Sequence, residues 1–278
     1  MGTQDPLVHI EAATLAGGDN NQDRYAYGDR WAFVLDGATS FSETPPVHDG
    51  AWYAERLKNA LANYLMTDDA TDTASIVAQA IEDAAVDHDT ATQGPCPTST
   101  IALARWDDEQ VELYVLGDSY AVAIPPAGQA TVLTDDRIKP FGENHRRATH
   151  RRLTQGSGFD QEHRELLNAL QTEQARHRNT DDGYWMAGDY PAASHNARRA
   201  HLPRQCASGL LLATDGLTAL ADPDWTDLIT RPRPEISDVL TDLQSQEWSD
   251  PAGRSYPRSK QHDDKTIVVA KFIDCRPT

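Results

Sequence analysis

Cysteine is scarce in this sequence, which holds Cys96, Cys206 and Cys275 among its 278 residues. The three lie far apart without metal-binding spacing, and their odd number does not suit a disulfide framework. The sequence also lacks a run of about 18 apolar residues that would span a membrane. No cationic flank with an apolar stretch marks its first residues as a secretion signal. We therefore predict a cytoplasmic protein.

Basic residues are few as well: 25 lysines and arginines stand against 43 aspartates and glutamates, and the net charge at pH 7 is −18. A chain of this charge repels the phosphates of nucleic acids and of anionic membranes, so we expect neither as a partner. Hydrophobic residues make up 39% of the sequence, which is enough for a folded core. The length allows one large domain or two small ones.

Short apolar runs and stretches of helical periodicity follow one another along the chain. Residues 23–36 are typical of two strands joined by a tight turn at Gly28 and Asp29. Because strands and paired helices are mixed without strict alternation, the pattern favours an α+β layered fold. We also predict an antiparallel meander of three strands (99–105, 111–116 and 120–124), two further strands (210–214 and 266–272), and helices at 50–66, 75–88 and 234–248.

Residues 136–205 differ in character from the rest of the chain. They hold six of the ten histidines and many arginines, and within them only residues 161–178 show helical periodicity. We interpret this segment as an inserted, solvent-facing flap. Its local positive charge would attract a phosphorylated or acidic partner in spite of the acidic whole, so we expect the flap to shape specificity.

Aspartates stand at the ends of four predicted strands. Asp36, Asp118 and Asp215 each follow an apolar run, and Asp263 precedes the last strand. Each of these motifs alone is an ordinary turn signal. If the strand ends meet, however, the carboxylates would repel one another. Bound divalent cations, which prefer oxygen ligands, would explain why four aspartates are gathered at one place. The sequence therefore predicts a site for Mg²⁺ or Mn²⁺.

Six short motifs follow one another along the chain: Asn-Gln-Asp at 21–23, Leu-Asp-Gly-Ala-Thr-Ser at 35–40, Thr-Ser-Thr at 98–100, Gly-Asp-Ser at 117–119, Thr-Asp-Gly-Leu at 214–217 and Asp-Asp-Lys-Thr at 263–266. Their order resembles that in the metal-dependent type 2C protein phosphatases, bacterial members included. The resemblance covers residues 18–272. It implies a four-layer αββα sandwich, with two antiparallel sheets flanked by helices, and a single domain over residues 1–278 with the flap inserted at about 136–205.

The resemblance also implies a role for each aspartate in a centre of two Mn²⁺ or Mg²⁺ ions. Asp36 would bridge both ions, and the carbonyl of Gly37 would bind the second. Asp215 and Asp263 would hold the first. Two such ions make a water acidic enough to attack phosphorus in line, and they neutralise charge on the phosphoryl oxygens. Asp23 would order the waters on the metals.

Other positions match the family less closely. Asp118, with Asp215, corresponds to positions that hold a third metal in some bacterial members. Gly18 stands where many bacterial members have a phosphate-binding arginine, so Arg24 or an arginine of the flap could substitute. The flap candidates are Arg146, Arg147, Arg151 and Arg152. Arg24 is equally well explained as a strand-surface cation. Thr39 could offer its hydroxyl to phosphate or cap the segment that follows.

Three hypotheses for function follow. We favour a Mg²⁺- or Mn²⁺-dependent phosphomonoesterase that acts on phosphoserine or phosphothreonine in proteins, or on a small phosphorylated molecule. The alternative is a catalytically inactive relative that binds a phosphorylated partner or metabolite, because Gly18 and Gln22 depart from the family pattern. A phosphatase of the haloacid-dehalogenase type, with Asp36 as nucleophile, would need a second acid two residues later, where Ala38 stands.

Overall fold

The structure is a computed structural model that describes residues 7–41, 46–67, 71–221, 223–230 and 235–273. Within these ranges, ten strands form two antiparallel five-stranded sheets. In spatial order the first sheet consists of β1 (Leu7–Leu15), β10 (Lys265–Ile273), β9 (Gly209–Ala213), β6 (Tyr120–Ile124) and β7 (Thr131–Leu133). The second consists of β2 (Asp23–Tyr27), β3 (Trp31–Gly37), β4 (Ser99–Trp106), β5 (Gln110–Leu116) and β8 (Arg198–Pro203).

Helices cover the outer face of each sheet. On the second sheet these are α1 (Gly50–Thr67) and α2 (Thr73–Ala85), and on the first they are α6 (Trp225–Thr230) and α7 (Ser237–Ser249). The other helices are the short α3 (Thr90–Gln93) and the mutually packed pair α4 (Glu143–Thr154) and α5 (Gln161–Ala175). No helix in the described part of the chain is long and apolar enough to cross a membrane.

Three hydrophobic cores lie between the four layers. Because side chains alternate along a strand, β3 directs Phe33 and Leu35 towards α1 and α2, and Val34 towards the other sheet. Strand β9 divides its residues in the same way, with Leu212 between the sheets and Leu211 in the core beneath α7. Strands buried on both faces read as continuous apolar runs. The four-layer αββα sandwich of two antiparallel sheets is confirmed.

Several strand ends meet at one end of the sandwich. Antiparallel pairing places Asp23, at the start of β2, opposite Asp36 near the end of β3. In the other sheet, Ala213 at the end of β9 is opposite Ile267 near the start of β10. Thr214 follows β9, and its hydroxyl donates to the carboxylate of Asp23 at 2.7 Å, so the two pairs of strand ends are adjacent. The fold thus brings the aspartate-bearing segments of both sheets together.

Most predicted elements are confirmed, but one predicted connection is wrong. Strands β2 and β3 form the predicted hairpin, and β4 and β5 form another. The predicted meander ends there, because Gly117 and Asp118 carry the chain from β5 to β6 in the opposite sheet. Gly117 has a φ of +91°, and a Cβ on it would approach Thr100 Cγ2 to 2.8 Å. The helix predicted from Pro234, a residue outside the described ranges, begins at Ser237.

The segment 136–205 is less solvent-facing than its composition indicates. Strand β8 extends the second sheet by pairing with β5, and Trp185 and Ala187 are buried in the core beneath α1 and α2. Helix α5 agrees with the predicted helix at 161–178. Helix α4 is not predicted by the sequence, because only Thr149 and Leu153 of its 12 residues are buried and no apolar stripe marks it.

Candidate functional site

Asp36 and Gly37 close β3 where that strand meets helix α1. The amide of Gly37 donates to the carbonyl of Gln22 at 3.2 Å. A Cβ on Gly37 would lie 2.4 Å from the carbonyl oxygen of Gly50, the first residue of α1. Glycine is needed here because backbone approaches backbone. The close packing of Gly37 thus fixes the backbone that carries Asp36 at this end of the sandwich.

Asp215 and Asp263 flank the adjacent strands β9 and β10. Two threonines join these strand ends: the Thr214 amide donates to the Thr266 carbonyl at 3.1 Å, and the Thr266 amide donates to Thr214 Oγ1 at 3.0 Å. The Thr214 hydroxyl donates in turn to Asp23 Oδ2 at 2.7 Å. One side chain therefore links an acid of the second sheet to the strand ends of the first.

Four aspartates lie close enough to change one another's ionisation: Asp23, Asp36, Asp215 and Asp263. Burial raises the pKa of Asp36 well above its ordinary value, and the charges of Asp215 and Asp23 raise it further. Burial and the charge of Asp263 raise the pKa of Asp215 to about 7. Burial, opposed in part by the Thr214 hydroxyl, raises the pKa of Asp23 to about 8. Buried carboxylates repel one another strongly because little water screens their charges. A divalent cation would accept these oxygens as ligands and neutralise the charges.

This donor set suits a hard cation, but the side chains are not arranged around one. Among the described residues, no three histidine, cysteine, aspartate or glutamate side chains could hold a metal ion as they stand. Instead, the Lys260 ammonium donates to Asp263 Oδ1 at 2.6 Å, and its charge opposes the rise in the pKa of Asp36 and of Asp215. Asp23 Oδ1 is buried and has no hydrogen-bond partner in the described ranges. Oxygen donors with one unpaired member fit Mg²⁺ or Mn²⁺ chemically.

Asp118 lies beside this cluster, on the connection from β5 to β6. Its negative charge raises the pKa of Asp215. Burial raises the pKa of Asp118 itself, and the charges of Asp135 and Lys139 then act on it in opposite directions. Asp118 therefore stands between the four aspartates and the start of segment 136–205. That position is compatible with the third-metal role, which stays a prediction.

Asp264 holds loop 17–22 against β10. Its Oδ1 accepts the amide of Gly17 and its Oδ2 accepts the amide of Gln22, each at 2.8 Å. Gly17 is packed so closely that a Cβ on it would lie 2.5 Å from the carbonyl carbon of Asp263. The loop leads directly into β2, so these bonds help to position Asp23.

The two residues predicted to bind phosphate both have protein partners. Arg24 Nε donates to Glu55 Oε2 at 2.6 Å, and its Nη1 donates to the carbonyls of Asn21 and Asp23 at 2.7 Å. This contact with helix α1 favours the strand-surface interpretation of Arg24. The Thr39 hydroxyl donates to Gln22 Oε1. The phosphate-binding roles of both residues stay predictions.

Helix α5 contacts the loop that follows β3. Gln171 Nε2 donates to the carbonyl of Thr39, and Gln171 Oε1 accepts the amide of Phe41 at 3.1 Å. The partly buried Gln171 side chain therefore bridges two backbone groups close to Asp36. The flap and the candidate site are in direct contact through this residue.

Three of the four flap arginines predicted as phosphate ligands, Arg146, Arg147 and Arg152, form side-chain hydrogen bonds within the flap. Burial lowers the pKa of Arg146, and the charges of Glu143, Glu173 and Asp118 oppose this lowering in part, so Arg146 is within electrostatic reach of Asp118. Of the predicted substitutes for the missing arginine, Arg146 is thus placed near the site. The hydrogen bonds are from Arg146 to the Lys139 carbonyl, from Arg147 to Asn144, and from Arg152 to Asp160 and Glu162.

Sequence reasoning missed Lys260 and Gln171. Lys260 lies three residues before Asp263, a spacing that brings side chains together on a helix, but the segment between them is not helical. Gln171 lies in the predicted helix of the flap, and its partners are 130 and 132 residues away. Neither contact leaves a local pattern.

A family model described as Protein phosphatase 2C matches residues 12–252. Among solved structures, the Mycobacterium tuberculosis serine/threonine phosphatase PstP/Ppp is 18% identical, with 96% of this chain and 99% of that chain covered and a TM-score of 0.57. PppA, a key regulatory component of T6SS in Pseudomonas aeruginosa, is 16% identical, with 97% and 99% covered and a TM-score of 0.59. The catalytic domain of PstP in complex with two manganese ions is 17% identical, with 96% and 99% covered and a TM-score of 0.57. No curated protein sequence matches the chain.

Proposed function

Because the chain belongs to the protein phosphatase 2C family, and is therefore a phosphatase, we propose that it removes phosphate from phosphoserine and phosphothreonine in proteins with the help of Mn²⁺ or Mg²⁺. One observation carries the metal dependence. Four carboxylates from both sheets meet at one end of the sandwich, and burial together with their mutual repulsion raises the pKa values of Asp23, Asp36 and Asp215. A cation is the simplest group that would relieve this repulsion.

The residues that would hold two ions are Asp36 with the Gly37 carbonyl, and Asp215 with Asp263. Divalent ions bound there would supply an acidified water and neutralise charge on the phosphoryl group. Asp23 Oδ1, buried and unpaired in the described ranges, would accept a hydrogen bond from such a water and orient it. Asp118, with Asp215, would hold a third ion on the side of the flap.

The proposed substrate class rests on the family and on the surroundings of the site. A PstP structure with two manganese ions is that of a serine/threonine protein phosphatase, and the fold of this chain is similar. The flap brings Lys139 and Arg146 within electrostatic reach of Asp118, so cations border the acidic site on one side. These cations could attract acidic groups of a phosphorylated peptide beyond the phosphate that enters the site. No observation favours the inactive alternative.

The proposal is tested by the hydrolysis of p-nitrophenyl phosphate and of a phosphothreonine peptide with added Mn²⁺. We expect Asp36→Ala to lower kcat/KM by at least about a hundredfold, because both ions lose a ligand. Asp108→Ala, which removes an exposed aspartate paired with Arg30, is the control and should retain full activity. Undiminished turnover in EDTA, or after Asp36→Ala, would refute metal-dependent catalysis at this site.

A further inference from the structure

Lys260 is a cation inside the cluster of aspartates. Its ammonium lies 2.6 Å from Asp263 Oδ1, and its side chain is only 23% exposed. The carboxylates of Asp36 and Asp215 also attract it. The ion pair therefore places the Lys260 ammonium group where the first metal ion of the proposed centre would bind.

The position of Lys260 is built into the fold. Asp250 accepts the amides of Arg254, Ser255 and Tyr256, which turns the chain sharply after α7. Arg258, itself 7% exposed, then donates to the carbonyls of Asp250 and Gln261 at 2.9 Å. These bonds fix the backbone on both sides of Lys260.

We propose that Lys260 is a resident counter-ion of the metal centre, which a divalent cation must displace from Asp263, beside Asp215, in order to bind. The inference rests on the proposed function, because it assumes that these carboxylates are metal ligands. Two cations cannot share the same carboxylate oxygens at low energy, since like charges a few ångströms apart repel. Lys260 thereby stabilises the metal-free cluster and lowers the affinity of the site for metal.

A comparison within the chain separates this role from that of an ordinary surface ion pair. Lys58 and Glu55 form a pair with the same three-residue spacing and a similar distance of 2.5 Å, on helix α1. Glu55 is paired with Arg24 and belongs to no metal ligand set. Removing Lys58 thus removes a lysine of matched geometry without touching the aspartates.

The test is a calorimetric titration of Mn²⁺ into the full chain, first stripped with EDTA, and into the variants Lys260→Met, Lys260→Gln and Lys58→Met. We expect both Lys260 variants to bind Mn²⁺ about tenfold more tightly, the size of a typical coupling between two ligands. Lys58→Met should bind as the parent does. Equal Kd values for the parent and the Lys260 variants would overturn the inference, whereas a parent chain that binds no Mn²⁺ would overturn the proposed function and the inference with it.

A second measurement uses the unaltered chain, in case the variants do not fold. Amine labelling by acetic anhydride, followed by mass spectrometry, reports how accessible each lysine is. Saturating Mn²⁺ should increase the labelling of Lys260 several-fold, because its ammonium leaves the carboxylates, and should leave that of Lys58 unchanged. Labelling of Lys260 that stays constant or falls with Mn²⁺ would overturn the inference.

Discussion

Two glycines near the aspartate cluster differ in what a side chain would meet. A Cβ on Gly37 would lie 2.4 Å from the Gly50 carbonyl oxygen and 2.8 Å from that of Gln22, and these backbone atoms cannot move without shifting α1 or loop 17–22. A Cβ on Gly18 would meet nothing within 4 Å. The Asp-Gly sequence at Asp36 therefore reflects close packing and not just a turn.

We expect Gly37→Ala to lower the free energy of unfolding by about 1–3 kcal/mol, the usual cost of an added methyl group in a tightly packed site. It should also weaken Mn²⁺ binding, because the strand end that carries Asp36 must shift. Urea denaturation and calorimetry measure the two effects. Gly18→Ala is the matched control and should stay within about 0.5 kcal/mol of the parent. Equal stability of the two variants would contradict the packing argument.

Among the strands and helices, the buried ones could be predicted from the sequence and the exposed ones could not. Strands β3, β9 and β10 are buried on both faces, so their continuous apolar runs reveal them, and the aspartates at their ends could be located from the sequence. Helix α4 is mostly exposed and has no apolar stripe, and strand β8 alternates over too few residues, with Ala200 and Leu202 partly buried, to stand out in the sequence. The place of Lys260 depends on the non-helical path between Asp250 and Asp263, which bonds from Arg258 determine. No local pattern encodes such a path.

The contact between α5 and the loop after β3 predicts how the flap affects the substrate. Gln171→Ala removes both hydrogen bonds to the backbone of Thr39 and Phe41. One hydrogen bond contributes about 0.5–1.5 kcal/mol, so we expect KM for a phosphothreonine peptide to rise about two- to tenfold. Turnover of p-nitrophenyl phosphate, which is too small to reach the flap, should change little.

Steady-state kinetics with both substrates check this expectation. Gln161→Ala is the control, because Gln161 lies on the same helix, is exposed, and bonds to Glu165. If Gln171→Ala reduces kcat for both substrates equally, the contact positions the catalytic residues and does not select the substrate.

At the scale of the whole molecule, the site exists only because two sheets meet. Asp23 and Asp36 belong to one sheet, and Asp215 and Asp263 flank strands of the other. Folding therefore forces together carboxylates that are far apart in the unfolded chain, within a protein whose net charge is already −18. Burial and this repulsion make the folded, metal-free protein hold protons more tightly than the unfolded chain does. Its stability must then depend on pH.

The direction of this dependence follows from the pKa values. Burial and neighbouring charges raise the pKa of Asp23 from 3.8 to about 8 and that of Asp215 from 3.8 to about 7. At pH values between the unfolded pKa of 3.8 and the folded pKa of about 7 or 8, the folded state binds more protons than the unfolded state. The free energy of unfolding therefore falls as pH rises. We expect the melting temperature in EDTA to decrease from about pH 5 to about pH 8, and saturating Mn²⁺ to abolish the decrease, because the cation takes the place of the protons.

Asp23→Asn isolates one contribution, since the amide cannot titrate but its oxygen can still accept the Thr214 hydroxyl. The slope of melting temperature against pH in EDTA should become shallower in this variant, because one group with a raised pKa is gone. Asp108→Asn, at an exposed aspartate, should leave the slope unchanged. Differential scanning calorimetry across the same pH range measures all three proteins. Parallel curves for the parent and Asp23→Asn would mean that Asp23 is ionised in the metal-free protein, and the buried cluster would then have to be neutralised by Lys260 alone.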